Sequence, residues 1–540
     1  MTTAVDPTDR SHVRRDLLLL SIACAAFFLV RLGARDLWNP NEPIYGEAVR
    51  EMAEAKTWLV PQVNGLDFGE KPILYFWMAL VSVKLLGGVS EFSLRLPSVF
   101  GGIAVVLGAY LLALPYAGRV RALAGAVALA TTYAIWWLAR AVAMDILLTA
   151  ATVWAVYGVT RVLDSDDPPW KGWLIAGVAA GVGFNAKGPI GWICPGLAVF
   201  TYAIATRRVA RLFGKEMLLG WVACFAVAAP WYVALAATGR TDILHEVLIR
   251  QNFQRYTDPW DHVEPFWFYV PYYFIEMAPW SFFSLLAWRL PDRTERDRKL
   301  SILALCWIVS ILVFFSASKS KRDPYITPAA PAVVFLAVEV LERYVRGTLS
   351  RARRLGVLAI VGAFAALFVA GGAWALTNLA TRFPETAVEA RWLGAFCILT
   401  GLALGGTLLA RKSGWGVPTA VAAAAAALYL TAGVYVLPAV DTYKSAKPLC
   451  ESVTQLLRPG DRIASYEFWR WRSQYRYYLE RPIEALYGNE ALRAAWDGPD
   501  RVVLFVEEIG LDDARHVIGD RKPALIRSVG SMPTYVFINR

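Results

Sequence analysis

Apolar stretches of about 18–22 residues, each long enough to cross a hydrocarbon core, recur through the first 437 positions. They fall near 16–33, 92–115, 120–139, 144–162, 172–186, 189–206, 216–237, 266–289, 299–316, 324–341, 355–377, 393–410 and 416–437. Lipid offers no partner to a backbone N–H or C=O, so a chain with this pattern must cross as helices. The reading is an α-helical polytopic membrane protein with about thirteen spans. A hydrophobic content of 57% agrees, and 22 Trp and 23 Tyr are enough for two aromatic belts. The 72–88 stretch is apolar but short, and Lys71 and Lys84 flank and interrupt it, so it is placed in the interface.

A net charge of +11 in a soluble chain would suggest nucleic acid. Here the cations lie between apolar runs and on alternate sides. Arg10, Arg14 and Arg15, Arg119 and Arg121, Arg161 and Lys171, Arg207 to Lys215, Arg289 to Lys299, Arg343 to Arg354, and Arg411 with Lys412 fall on one face. Positive residues mark the cytoplasmic side, so the N-terminus is expected inside. The first run then acts as a retained signal anchor, and an odd span count puts the C-terminus outside. Five of the six Cys lie in apolar runs, which argues against a disulfide framework.

Between the first two runs lies a segment too polar to span and too patterned for a linker, NPNEPIYGEAVREMAEAKTWLVPQVNGLDFGEKPILYFW, from Asn39 to Trp77. Helices are expected over 43–56 and 72–86, since Pro suits a first helical turn. Tyr45, Val49 and Met52 share one face of the first. Pro43 is expected to hold Glu42 extended. The loop, 34–91, would lie on the membrane.

This loop resembles the first extracytoplasmic loop of GT-C glycosyltransferases, in the branch of the aminoarabinose lipid A transferases and protein O-mannosyltransferases. Glu42, Tyr45, Glu47, Arg50, Glu51, Met52, Lys71 and Pro72 match the pattern. The family's catalytic Asp falls on Asn41, and an amide is no base at neutral pH. Glu42 is the candidate replacement and Asp145, on a facing loop, the reserve; Asn41 would hydrogen-bond the sugar or acceptor.

Three further segments add candidates. Ser318-Lys319-Ser320-Lys321-Arg322-Asp323 is basic yet falls on the outer side. It is either a hairpin placed on the wrong side or a holder of an anionic ligand, and phosphate is what Lys and Arg recognise. The resemblance favours the second through Lys319, Lys321, Arg322, Tyr325 and Pro328. Asp145 and Lys187 sit at outer helix ends, as solvated or snorkelling residues or as parts of the site; Asp145 could balance Lys71. The 240–265 loop holds His245, His262 and several carboxylates, at spacings too irregular for a metal site. Its Gln254-Arg255-Tyr256 run also matches the family, so Arg255 is expected beside phosphate or sugar, with His262 supporting.

After 437 the composition turns polar. Strands over 461–466, 501–506 and 534–538 and helices over 445–457 and 490–495, the second capped by Asn489, indicate a small extracytoplasmic α/β domain over 438–540. Trp469, Trp471, Tyr475, Tyr477 and Tyr478 form a core, a bilayer contact or a sugar platform.

The resemblance implies a metal-independent inverting glycosyltransferase in a bacterial inner membrane, with no cofactor. It would move a sugar from a polyprenyl-phosphate donor to a lipid, glycan or protein acceptor on the outer side. Lys71, Arg255, Lys319, Lys321, Arg322 and Tyr325 would hold the donor phosphate, with Tyr45, Glu47, Arg50 and Lys187 in support. The alternatives are an oligosaccharide-lipid ligase, a lipid-sugar transporter or flippase, and a catalytically impaired relative.

Overall fold

The computed structural model describes residues 10–382, 386–410, 414–468 and 473–540. It divides into two compact units, one of Met1–Val30, Gly69–Tyr75 and Arg95–Val436, the other of Arg31–Phe68, Phe76–Leu94 and Leu437–Arg540. Trp469, Trp471, Arg411 and Lys412 lie outside the described residues.

The first unit is helical. Among the described residues of the chain, eight helices are long and apolar enough to cross a membrane. Helix Glu91–Ala130 runs through two of the predicted spans, with its break at Gly118, whose φ of 74° and ψ of 168° are not helical. Only a residue without a Cβ adopts that conformation at no steric cost. The predicted span 266–289 is not one helix. It forms Tyr269–Glu276 and Trp280–Ser284, separated at Pro279, which has no N–H to continue the ladder.

Glycines let helix backbones meet. A Cβ on Gly177 would lie 2.0 Å from the Gly220 carbonyl oxygen, and one on Gly191 would lie 2.1 Å from the Gly183 carbonyl carbon. Small residues serve this purpose where lipid supplies no hydrophobic drive between helices. Several of the sidedness-marking Arg are held in ion pairs, Arg119 with Asp16 at 2.6 Å and Arg293 with Glu339 at 2.8 Å.

The second unit joins the first loop to the C-terminal domain. Helix Asn41–Ala55 is followed by a two-stranded hairpin, β1 (Gln62–Val63) and β2 (Leu66–Asp67). Tyr45, Val49 and Met52 are all buried, as their shared face predicts. Lys56 ends the helix in the left-handed region at φ 53°. The loop is tied to the C-terminal part by polar contacts: Leu37 N–H donates to the Tyr478 hydroxyl at 2.7 Å, and Asn64 Nδ2 to the Ile483 carbonyl at 2.9 Å.

The C-terminal sheet has β3 (Arg462–Tyr466), β4 (Glu484–Leu486), β5 (Val502–Glu507), β6 (Leu525–Val529) and β7 (Met532–Ile538), in the order β4-β3-β5-β7-β6. β3 is parallel to β4 and β5, and β7 is antiparallel to β5 and β6. Central β5 is buried on both faces, which explains its unbroken apolar run VVLFV. One face packs Cys450, Ile463, Tyr475 and Phe505; the other packs Tyr466, Leu492, Leu504 and Ile518. Tyr475 is therefore a core residue, and Tyr477 is buried against helix Asn41–Ala55 at Gly46. Asn489 is not the expected cap: it lies inside helix Gly488–Trp496, and its Oδ1 accepts from the Tyr466 hydroxyl at 2.8 Å. Gly488, left-handed at φ 75°, makes the turn into that helix one residue earlier.

Candidate active site

In the first unit, a small cleft of about 70 Å³ is lined by Glu70, Lys71, Lys187, Gln251, Arg255 and Tyr325, among others. Four segments build it, one of them the 315–325 stretch with Ser318, Ser320 and Tyr325. The Glu70-Lys71-Pro72 segment enters just before helix Leu74–Leu86. Lys187 is the last residue of helix Pro169–Lys187, which ends because Gly188 turns to φ 67°. Glu246–Gln254 is a π-helix, whose wider turn brings Val247, Gln251 and Asn252 to the cleft together, with Arg255 next after it.

Each cation is held differently. Arg255 Nη2 meets Asp261 at 2.7 and 3.0 Å, while Nη1 donates to Gln251 Oε1 at 3.0 Å. Its guanidinium carbon stands 5.5 Å from the Trp260 ring centre. Lys187 pairs with Asp145, and its ammonium lies 4.4 Å from the centre of the Tyr325 ring. Asp145 therefore balances Lys187, not Lys71. Lys71 is half-buried. Desolvation pushes its pKa down to about 8; Glu70 opposes the shift, and the charges of Arg255, Lys187 and Arg322 add to it. Lys71 thus reports how much positive charge converges here. Burial and the nearby Arg322 also lower the His262 imidazole, which is half exposed and 3.9 Å from Asp261.

Two donors at this cleft lack an acceptor among the described residues. Arg255 Nε and Ser320 Oγ are buried and make no hydrogen bond there. Buried donors without partners are rare in native folds, and here they belong to a residue already positively charged and to a lining hydroxyl.

The 318–323 loop contributes its backbone and Ser320 more than its ammonium groups. It lies beside the 240–265 loop through a bridge between Val263 and Ser320 and a bond from Lys321 N–H to the His262 carbonyl at 2.9 Å. Lys321 is 3% exposed, and its ammonium is taken by the carbonyls of Ser318 and Glu264, the latter at 2.8 Å. Burial lowers its pKa, and the charge of Glu264 opposes the shift. Lys321 therefore holds two loops together, a role the basic run did not suggest. Lys319 is exposed, and its carbonyl and N–H join the same pairing. Arg322 accepts a bond from the Tyr269 hydroxyl at its carbonyl, 3.2 Å.

The other candidates lie in the second unit. The helix begins at Asn41, so Asn41 and Glu42 form its first turn and Glu42 is not extended as Pro43 predicts. Anchoring explains the difference: Glu42 Oε2 pairs with Arg35 at 2.6 Å and accepts from the Trp38 N–H at 3.2 Å. One turn on, Glu47 receives Arg50 at 2.5 and 2.9 Å and Arg476 at 3.2 Å. Burial lifts its carboxyl to about 7 against these guanidiniums. Tyr45 packs edge-on to Phe68 and Phe76.

Lys71, Lys187, Arg255 and Tyr325 thus come together at one cleft, with Arg322 close enough to act on Lys71. Glu70, Gln251, Asn252 and Ser320 were not chosen from sequence as site residues. The signal for Glu70 was present: it directly precedes Lys71-Pro72.

A family model described as dolichyl-phosphate-mannose-protein mannosyltransferase matches residues 70–233. An undecaprenyl phosphate-α-4-amino-4-deoxy-L-arabinose arabinosyl transferase of Erwinia tasmaniensis is 31% identical over 409 residues, 72% of this chain and 71% of that protein. A protein of the same name from Aeromonas salmonicida is 33% identical over 331 residues, 58% of each chain. The crystal structure of ArnT from Cupriavidus metallidurans bound to undecaprenyl phosphate has the same fold, with a TM-score of 0.78, 22% identity and coverage of 97% and 98% of the two chains. The chain belongs to the family of undecaprenyl phosphate-α-4-amino-4-deoxy-L-arabinose arabinosyl transferases: it is a multi-pass membrane glycosyltransferase of GT-C fold that uses a sugar linked to a lipid phosphate.

Proposed function

We propose that this chain moves an aminoarabinose from undecaprenyl phosphate to a lipid acceptor on the outer face of a bacterial inner membrane. The observation that carries this reading is the cleft itself: Lys71, Lys187 and Arg255 converge on it, with Arg255 Nε and Ser320 Oγ buried and unpartnered among the described residues. A phosphate offers the acceptor oxygens that these donors lack. The N-terminus and the positive loops face the cytoplasm, and the 438–540 domain faces outward, as the Arg and Lys distribution requires.

In the reaction the acceptor oxygen attacks the anomeric carbon from the face opposite the phosphate. The bond from that carbon to the phosphate oxygen breaks, and its electron pair leaves on undecaprenyl phosphate. A phosphate is a good leaving group and needs fixed positive charge more than a general acid. Lys71, Arg255 and Lys187 supply that charge. The acceptor proton goes to a carboxylate. Glu42 and Asp145 each already hold a cation, Arg35 and Lys187. Glu70 lines the cleft and is the better base. Asn41, which cannot take the proton, then need not be the reacting group.

Three variants of the purified chain test the assignment, read by mass spectrometry of the lipid product and by undecaprenyl phosphate binding. Glu70→Gln is expected to lower transfer about 10²–10⁴-fold with binding retained. The same loss in Glu42→Gln or Asp145→Asn, with Glu70→Gln active, would move the base to that residue. A wild-type chain that binds no undecaprenyl phosphate would remove the reading altogether.

A further inference from the structure

A second cavity, of about 250 Å³, shares no lining residue with the cleft. It is a groove among helices Asp145–Asp164, Pro169–Lys187, Ile190–Ala205 and Met217–Ala237. Its lining runs from Met217 to Cys224 along one helix and from Phe200 back to Trp192 along another. At 1.5 Å per residue that is a slot about 10–12 Å deep. Small residues keep it open. A Cβ on Gly196, which lines it, would meet nothing within 4 Å. Phe200, Phe213 and Trp221 are exposed at its rim, so the groove opens toward lipid.

One end of the groove is polar. Leu212 and Phe213 line it from the short turn Val209–Phe213, inside one of the positive loops. Residues 206–216 carry four cations, Arg207, Arg208, Arg211 and Lys215, against one carboxylate, Glu216. Asp164 takes Arg208, whereas Arg207, Arg211 and Lys215 are exposed. Arg211 Nη1 donates to the Leu163 carbonyl at 2.8 Å, which fixes the guanidinium beside the two groove residues that follow it. Trp173 lines the groove one turn inside helix Pro169–Lys187. Its Nε1 is buried and has no hydrogen-bond partner among the described residues. A buried indole N–H normally finds an acceptor.

The groove thus offers exposed cations at its mouth, a hydrogen-bond donor at the helix end and an apolar slot beyond. An anionic glycerophospholipid has the matching groups in one molecule: a phosphate, ester carbonyls and an acyl chain. A zwitterionic lipid brings no net charge to the cations, and a polyprenyl phosphate brings no ester carbonyl to the indole. We propose that this groove binds one anionic glycerophospholipid from the leaflet that the positive loops face. Its phosphate lies on Arg211 and Lys215, an ester carbonyl accepts from Trp173 Nε1, and one acyl chain runs past Gly196. Basic pockets between membrane helices are suited to anionic head groups. The site stands whether or not the cleft takes a lipid-phosphate sugar.

The test uses the full chain in detergent micelles, with bound lipid read by native mass spectrometry. The probes are phosphatidylglycerol and phosphatidylcholine with the same acyl chains, and undecaprenyl phosphate. Wild type is expected to hold phosphatidylglycerol about tenfold or more tighter than phosphatidylcholine, and to melt at higher temperature when it is bound. Gly196→Leu puts a side chain into the open slot and should abolish both effects, while Gly196→Ala keeps them. Arg211→Gln with Lys215→Gln should bring phosphatidylglycerol down to the level of phosphatidylcholine. Trp173→Phe should weaken both glycerophospholipids about two- to tenfold and leave their ratio unchanged. If Gly196→Leu does not fold, the exposed loop pair and Trp173→Phe decide. Wild type without a preference overturns the proposal. So does a folded Gly196→Leu or loop variant that keeps the wild-type preference, or undecaprenyl phosphate that displaces phosphatidylglycerol mole for mole.

Discussion

Two regions of this molecule gather buried charge, and they treat it in opposite ways. Around helix Asn41–Ala55 each named carboxylate has a guanidinium, Glu47 with Arg50 and Arg476 and Glu42 with Arg35, although Arg476 Nε and Nη1 make no hydrogen bond among the described residues. Around the cleft three cations converge on one open space: Lys187 is paired with Asp145 and Arg255 with Asp261, desolvation pushes Lys71 to about 8 against Glu70, and Arg255 Nε has no acceptor among the described residues. A closed network stabilises a shape. An open one leaves electrostatic work to a ligand. Both regions carry residues that match the same family pattern, so the pattern alone does not tell the two apart; the open space that Lys71, Lys187 and Arg255 line does.

The largest effect that would break this comparison is on stability. Removing one partner of a buried ion pair costs about 3–5 kcal/mol. Arg50→Ala should therefore unfold at markedly lower temperature, with undecaprenyl phosphate affinity of the folded fraction unchanged. A fall in affinity of similar size would make the helix network part of the donor site.

Next comes the pH response of the cleft. The free ammonium of Lys71 is lost as pH rises through about 8, and an anion binds only the charged form. Undecaprenyl phosphate is already fully ionised there, since a phosphate monoester's second pKa is about 6. Affinity should then fall by up to about tenfold per pH unit above 8, until the contribution of Lys71 is gone. Lys71→Arg should flatten the profile, because a guanidinium stays charged. A profile equally steep in both proteins would place the titrating group elsewhere.

The smallest effect separates two lysines of one loop. Lys319 is exposed, and a solvated charge contributes about 0–1 kcal/mol, so Lys319→Ala should change affinity by less than about fivefold. Lys321→Ala removes a buried ammonium from two carbonyls and should increase proteolysis or hydrogen exchange of the 240–265 and 318–323 loops. Equal affinity losses in both variants, with both loops intact, would mean that both ammonium groups touch phosphate.

Much of this was legible in the sequence because bilayer physics leaves few choices. Most of the apolar runs meet helices, Lys187 stood out at an outer turn, and Lys71, Arg255 and Tyr325 stood out through the family resemblance. What stayed hidden depended on direction or distance in space. Side-chain direction decided Lys321, which a basic run presents as a phosphate ligand and the fold turns toward carbonyls. Arg476 reaches Glu47 from the far end of the chain, and no local spacing marks that pair. Glu276 was absorbed into an apolar run because a single carboxylate hardly changes its mean hydropathy. The 266–289 run reads as a continuous span, and only the fold shows the break at Pro279 that leaves Glu276 at a helix end.

The glycine contacts bear on how this chain can change by mutation. Gly183 lies four residues before Lys187 on the same helix, against Gly191; a Cβ on Gly191 would overlap the Gly183 carbonyl, while one on Gly183 would sit 3.1 Å from Gly191 and Ala151. An alanine at Gly191 alters no charge and touches no substrate, yet it would shift the helix end that aims the ammonium. In a saturation screen scored by activity, Gly191 should be as intolerant as the lysine its neighbour positions, and Gly183 less so. A map of sensitive positions would thus draw the site larger than its chemistry, extending it along the line where two helices share no side chains.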